Sequence, residues 1–342
     1  MNAASLRSGS DFSVTTEWRR LLGFAERSGG RGGPFALATL VAREGSSYRQ
    51  PGARLLIAPD GRHAGSLSGG CLEDGIAQVG CRVLRTGVGE RLRIDTRPHF
   101  GCPGVLDIWV EALAPSFLAD IEAVIRAREP AWVVTRPETG AGGRKGGTSL
   151  HRALPVAGET EGGALVCGLE FLPRLLIASA TSDADELSDL ATWMGWEVRR
   201  VVHSAEAQSG LAPSGGARAE IVLPERLGAT VSADSRTACV IMTHHLGRDL
   251  AYLRHALEAG YSYVGLLGSR RRREALLGEL GELGVLADPS VGERLFAPVG
   301  LDLGAHEPRG IALAIVAEIQ AVWARRSGGM LRDREGRLHC VE

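Results

Sequence analysis

The sequence carries no excess of either charge: 39 lysines and arginines stand against 40 aspartates and glutamates, a net of −1. A long-range field that would draw the whole chain to nucleic acid or to an anionic membrane is thereby excluded, and any anion site must be local. No apolar run approaches the ~18 residues of a membrane span, and Met1 to Thr16 lacks the charged-then-apolar pattern of a secretory leader. A cytoplasmic protein with no nucleic-acid partner is expected. None of the six cysteines (Cys71, Cys81, Cys102, Cys167, Cys239 and Cys340) belongs to a Cys-x-x-Cys pair. A chain of 342 residues that is 44% hydrophobic can build two cores without disulfide staples, at roughly 100 to 200 residues per domain. The thiols are expected to be reduced, each either buried or reactive.

The apolar spacing of Trp18, Leu21, Leu22, Phe24 and Ala25 predicts a helix over Ser13 to Arg27, ended by the glycine-rich stretch Gly29 to Pro34. β-type runs follow at Phe35 to Ala42, Arg54 to Ala58 and Val105 to Glu111, and helical spacing returns from Glu73 to Arg85. Between Pro137 and Gly163 the composition suits loops around a short strand at Leu150 to Val156. From Arg174 the rhythm becomes strand, helix, strand through to the long helix Pro308 to Arg326, which predicts a parallel, doubly wound sheet. The expected fold class is α/β: an N-terminal mixed α+β module over residues 13–170, a Rossmann-like C-terminal domain over 171–327, and a tail over 328–342.

Two glycine-serine loops stand out in the first module, Gly45-Ser46-Ser47 through Pro51-Gly52-Ala53 and Gly65-Ser66-Leu67-Ser68-Gly69-Gly70-Cys71. Glycines let a backbone approach a ligand and turn several N–H groups toward one anion, and serine hydroxyls add donors. Cys71 enters where a helix begins, a setting that favours thiolate, and a thiolate there could ligate a soft metal or attack an electrophile. The glycines could equally serve turns, with Cys71 a small core residue. Cys102, in Phe100-Gly101-Cys102-Pro103-Gly104, is a second candidate of the same two kinds. In the second domain, Gly268-Ser269 followed by Arg270 to Arg273 opens a helix at a strand end, which suits a phosphate. A solvated basic helix face is the alternative. Thr243-His244-His245 ends another strand, where a histidine could hydrogen-bond a ligand. The glycine fingerprint of dinucleotide sites is missing: the first turn of this domain reads Ala178-Ser179-Ala180-Thr181-Ser182-Asp183, so NAD(P) binding is doubtful.

These motifs together resemble the XdhC/CoxI family of maturation factors for xanthine dehydrogenase and carbon monoxide dehydrogenase type molybdenum hydroxylases. The resemblance runs through Gly45 to Arg54, Gly65 to Glu73, Thr243-His244 with Asp249, Tyr263 to Arg270, Ala297 to Ala305 and Ile311 to Ile319. It implies an accessory protein rather than a turnover enzyme, one that binds molybdenum cofactor, protects it during sulfuration and passes it to an apo-hydroxylase client. A sulfur-donor desulfurase is implied as a second partner, and a homodimer is compatible. Carried residue by residue, it places Ser46, Ser47, Ser68, Gly69, Gly70, Cys71, His244, Gly268, Ser269 and Arg270 at the cofactor, with Cys71 as a molybdenum ligand and Cys102 as a weaker one. The family's Gly-Ala-Gly turn is replaced here by Ser179, Ala180 and Thr181. An NAD(P)-dependent oxidoreductase and a docking module with a decayed site are the rival readings.

Overall fold

A computed structural model describes residues 6–7, 13–45, 49–97, 104–137, 146–155, 163–208 and 219–333. The chain divides into two compact units, Met1–Phe171 and Leu172–Glu342.

In the first unit the elements run β1 (Leu6–Arg7), α1 (Ser13–Arg27), β2 (Ala36–Gly45), β3 (Arg54–Ile57), β4 (His63–Gly65), α2 (Glu73–Thr86), β5 (Glu90–Asp95), β6 (Gly104–Ala112), α3 (Phe117–Ala127), β7 (Ala131–Arg136), β8 (Gly147–His151) and β9 (Leu165–Leu169). Among the described residues, five strands form an antiparallel sheet in the order β4-β3-β2-β6-β5, and β1-β9-β7-β8 form a second sheet. Both faces of the first sheet are covered, which is why β3 reads Arg-Leu-Leu-Ile with every residue buried instead of alternating. Leu55 and Ile57 join Ile76, Ala77 and Val83 of α2. Leu56 and Leu37 join Trp18 and Leu21 of α1 and Phe117 of α3. Helix α2 lies close on the sheet because Gly80 faces Ile57; a methyl there would come within 2.5 Å of the Ile57 Cδ1. The strand expected over Leu150 to Val156 is β8, and it lies earlier, at Gly147–His151, where Thr148 reaches the Glu111 carboxylate at 2.7 Å through its N–H.

In the second unit the order is β10 (Arg174–Ala178), α4 (Asp183–Trp193), β11 (Glu197–Val202), α5 (Ser204–Gln208), β12 (Ala219–Ile221), α6 (Leu227–Thr230), β13 (Thr237–Ile241), α7 (Leu246–Ala259), β14 (Tyr263–Leu266), α8 (Arg270–Glu282), α9 (Pro289–Gly292), β15 (Leu295–Phe296) and α10 (Pro308–Trp323). The sheet is parallel throughout, in the order β12-β11-β10-β13-β14-β15. Numbered within the unit, that is the 3-2-1-4-5-6 order of doubly wound Rossmann folds, as the strand and helix rhythm predicted. The direction of winding reverses between β10 and β13, so the crevice such folds use lies at Ala178 to Thr181 and Met242 to His245. No helix among the described residues is long and apolar enough to cross a membrane.

Candidate functional site

The loop between β4 and α2 is organised around one carboxylate. Glu73, the first residue of α2, is only 5% exposed. Its Oε1 accepts from the Leu67 N–H at 2.9 Å, the Ser68 N–H at 2.9 Å and the Ser66 hydroxyl at 3.1 Å. Its Oε2 accepts from the Ser68 hydroxyl at 2.7 Å and from the N–H groups of Gly70 and Leu72, each at 3.0 Å. Burial raises the Glu73 pKa, but the bonds from Ser68, Leu67 and Leu72 outweigh it and hold the carboxyl down at about 2. The nest of donors predicted for this loop exists, and the chain's own Glu73 fills it. The expectation that Ser68 and Gly70 offer their donors outward is corrected on that ground: the Ser68 N–H and hydroxyl and the Gly70 N–H all point at Glu73, and the Gly69 N–H donates to Ser66 Oγ at 3.1 Å.

What faces outward is the rim. Gly69, Gly70 and Cys71 are exposed, and a Cβ added at Gly70 would meet nothing within 4 Å. The left-handed φ of 89° at Gly69 and 113° at Gly70 explains why glycine stands at both. Gly65 has a different reason. A side chain there would lie 2.1 Å from the Arg54 carbonyl, so this glycine permits a close approach of strand to strand rather than of backbone to ligand.

Arg54, given no site role by its place in the sequence, knots the two glycine loops together. It is fully buried; its Nη1 donates to the Gly52 carbonyl at 2.8 Å, its own carbonyl accepts from the Ser66 N–H at 3.1 Å, and its guanidinium lies 4.9 Å over the Trp18 ring. Glu17 of α1 accepts the Arg54 N–H at 3.3 Å, and burial pushes that carboxyl up against the opposing pull of Arg54. Ser46 and Ser47 of the first loop, and Cys102, lie outside the described residues. Among the described cysteines Cys71 is exposed, Cys81 is half-buried, and Cys167 and Cys239 are buried.

In the second unit, Gly268, Ser269, Arg270 and His244 stand at the carboxyl ends of β14 and β13. Ser269 caps α8, its hydroxyl accepting the Arg272 N–H at 3.3 Å, and Arg270 is exposed. Gly268 leaves room for Arg272, whose Cδ would lie 2.8 Å from an added Cβ. Arg272 turns inward to Asp249, which is fully buried: Oδ2 accepts from its Nε at 3.0 Å and from its Nη2 at 2.5 Å. The other oxygen of Asp249 accepts from the Thr243 N–H at 3.2 Å and hydroxyl at 2.6 Å. This pair ties the β13–α7 turn to the β14–α8 turn and is what sequence reading missed. His244 is exposed and held at φ 59°, while His245 caps α7 through Nδ1, which accepts the Arg248 N–H at 3.3 Å. No group of three or more His, Cys, Asp or Glu side chains among the described residues is gathered for a metal ion.

At the switch point the glycine-free turn closes on itself. The Ser179 hydroxyl accepts the Thr181 N–H at 3.1 Å, and the buried Arg200 of β11 donates to the Thr181 carbonyl at 3.1 Å and pairs with Asp185. Side chains and an arginine brace occupy the position where a pyrophosphate would need bare backbone.

The molecule thus belongs to a class of two-unit α/β proteins, one unit presenting an exposed thiol on a self-filled glycine loop and the other a Rossmann sheet with a modified first turn. Residues 175–319 match the XdhC Rossmann domain, and residues 30–95 match the XdhC and CoxI family; the chain belongs to the XdhC/CoxI family. A Bacillus subtilis protein, named there as a probable component of xanthine dehydrogenase, is 28% identical over 316 residues, covering 83% of this chain and 91% of that protein. The molybdenum cofactor insertion chaperone PaoD of Escherichia coli is 28% identical over 320 residues, 90% of each chain. A solved structure from Bacillus halodurans, described as a xanthine dehydrogenase, shares the fold with a TM-score of 0.68 over 91% of this chain and 98% of that one, at 23% identity.

Proposed function

We propose that this protein is a molybdenum cofactor chaperone: it holds the cofactor, keeps it from water during sulfuration by a sulfur donor, and delivers it to a xanthine dehydrogenase or carbon monoxide dehydrogenase type apo-hydroxylase in the cytoplasm. The observation that carries the reading is the exposed Cys71 on a rim of two exposed glycines, within a chain related along nine-tenths of its length to a protein named as a molybdenum cofactor insertion chaperone. The donor set fits such a cargo in part. A thiolate is a soft ligand suited to molybdenum or to relaying sulfur, and Gly69 and Gly70 leave a flat approach beside it. The phosphate end finds no free N–H nest in this loop, because Glu73 fills it. The second unit offers the exposed Arg270, with His244 at the neighbouring strand end, both on turns that the Asp249–Arg272 pair makes rigid. Ser46, Ser47 and Cys102 remain assigned to the cofactor on the family resemblance, as does the Ser269 turn. Holding a ligand between fixed groups with water excluded slows its hydrolysis and oxidation.

Protein purified from cells that make molybdenum cofactor tests this reading. Wild-type protein carries molybdenum and oxidisable pterin, and the Cys71→Ser variant carries much less. Absence of both from wild type refutes it. The oxidoreductase alternative finds no support in the closed Ser179 to Thr181 turn.

A further inference from the structure

The six donors around Glu73 do more than end a helix. Four peptide N–H groups and two serine hydroxyls converge on two carboxylate oxygens, which is the arrangement of an anion-binding nest with its anion supplied by the same chain. Without that carboxylate the N–H groups of Leu67, Ser68, Gly70 and Leu72 would face a common centre with no acceptor, a costly state for groups shielded from water. The loop would have to open. With it, the backbone is fixed through Gly69 and Gly70 in left-handed conformations, and Cys71, immediately before the last of those donors, stands on the exposed rim. The knot at Arg54 anchors the other end of the loop, through the Ser66 N–H and the close approach at Gly65.

We infer that Glu73 is a positioning residue: it fixes the Cys71 thiol at the rim and denies the nest to outside anions, so this loop engages its ligand through sulfur and not through a phosphate group. The inference rests on Cys71 being the cofactor contact, but its two halves are read separately. Glu73 touches no ligand itself; it acts through the loop.

The test uses the full chain as wild type, Glu73→Ala and Glu73→Gln. Hydrogen exchange at the amides of Leu67, Ser68, Gly70 and Leu72 is slow in wild type and faster in Glu73→Ala by on the order of a hundredfold, as expected when several charge-assisted bonds are lost, while the β2, β3 and β6 amides keep their protection. Sodium acetate restores the protection of Glu73→Ala in a saturable manner and sodium chloride at equal ionic strength does not, because a free carboxylate refills the nest. Peptide-resolved alkylation with N-ethylmaleimide shows a changed rate at Cys71 and an unchanged rate at Cys81. Glu73→Gln, which keeps one acceptor oxygen, falls between. Unchanged exchange in Glu73→Ala overturns the inference, as does protection lost across the whole sheet and not returned by acetate. If wild type carries molybdenum, Glu73→Ala loses most of it and acetate returns it; retention of the metal by an opened loop also overturns the inference. A wild type without molybdenum overturns the cofactor reading alone, and exchange, acetate rescue and alkylation still decide the role of Glu73.

Discussion

Removing Arg272 should expose how much the second unit depends on one buried ion pair. The Asp249 carboxylate is fully buried and takes four hydrogen bonds, two from Thr243 and two from Arg272. Arg272→Ala removes both bonds on Oδ2 and leaves the charge half satisfied. Breaking a buried pair in this way costs about 3–5 kcal/mol. The Arg272 side chain is 22% exposed, so water enters the vacated space and brings the cost to the lower end, about 2–3 kcal/mol. For a unit of this size that lowers the midpoint by about 5–10 °C. Scanning calorimetry of the full chain reads the shift, with hydrogen exchange near the midpoint assigning the transition to residues 172–342. Arg272→Lys should recover less than half of it, since a single ammonium cannot reproduce the two-pronged contact. A shift below about 2 °C, or an equal one from the exposed Arg270→Ala, would refute the reasoning.

Further outcomes follow from the same geometry. Gly65→Ala drives a methyl into the Arg54 carbonyl at a φ of 111° and should cost about 3 kcal/mol or more, seen as lower soluble yield and an earlier urea midpoint. The folded Glu73 pKa of about 2 lies below the usual value of 4.5, so the stability it contributes is present above pH 4.5 and is lost as pH falls from there toward 2. An acid titration of wild type against Glu73→Gln should therefore show the two curves converging over that window. Fluorescence titration with NADH should show no saturation, because side chains and the Arg200 brace fill the first turn of the Rossmann sheet; saturable binding would show that turn to be open.

The parts of the fold legible in the sequence are those written in side-chain periodicity. Trp18, Leu21, Leu22 and Ala25 announce α1, and the apolar runs separated by helical spacing from Arg174 onward announce the parallel sheet. Strand β5 was equally open to reading, since Glu90 to Asp95 alternates exposed and inward positions, but its arginine-rich outward face disguises it; Arg91 pairs there with Asp107 of β6. The site was legible as a set of loops and not as a set of bonds. Serines and glycines at Gly65 to Gly70 signal a donor nest, but what fills it cannot be read from them, because the donors are mostly peptide N–H groups that any residue carries. Glu73 reads as an ordinary acidic first turn of a helix. Asp249 and Arg272 lie 23 residues apart, and only the adjacency of β13 and β14 brings them together, so no local pattern marks the pair. Gly65 and Gly268 were legible as special positions, yet the reason for each is a neighbouring Arg54 or Arg272 and not a ligand.

The central claim is that this chain holds molybdenum cofactor through the rim at Cys71. The most direct measurement is the molybdenum content per chain of protein isolated from cells making the cofactor, for wild type and Cys71→Ser side by side, with Cys81→Ser as the control thiol. The account predicts substantial molybdenum with wild type and with Cys81→Ser, and a marked loss with Cys71→Ser. Molybdenum retained in full by Cys71→Ser, or missing from wild type, contradicts it.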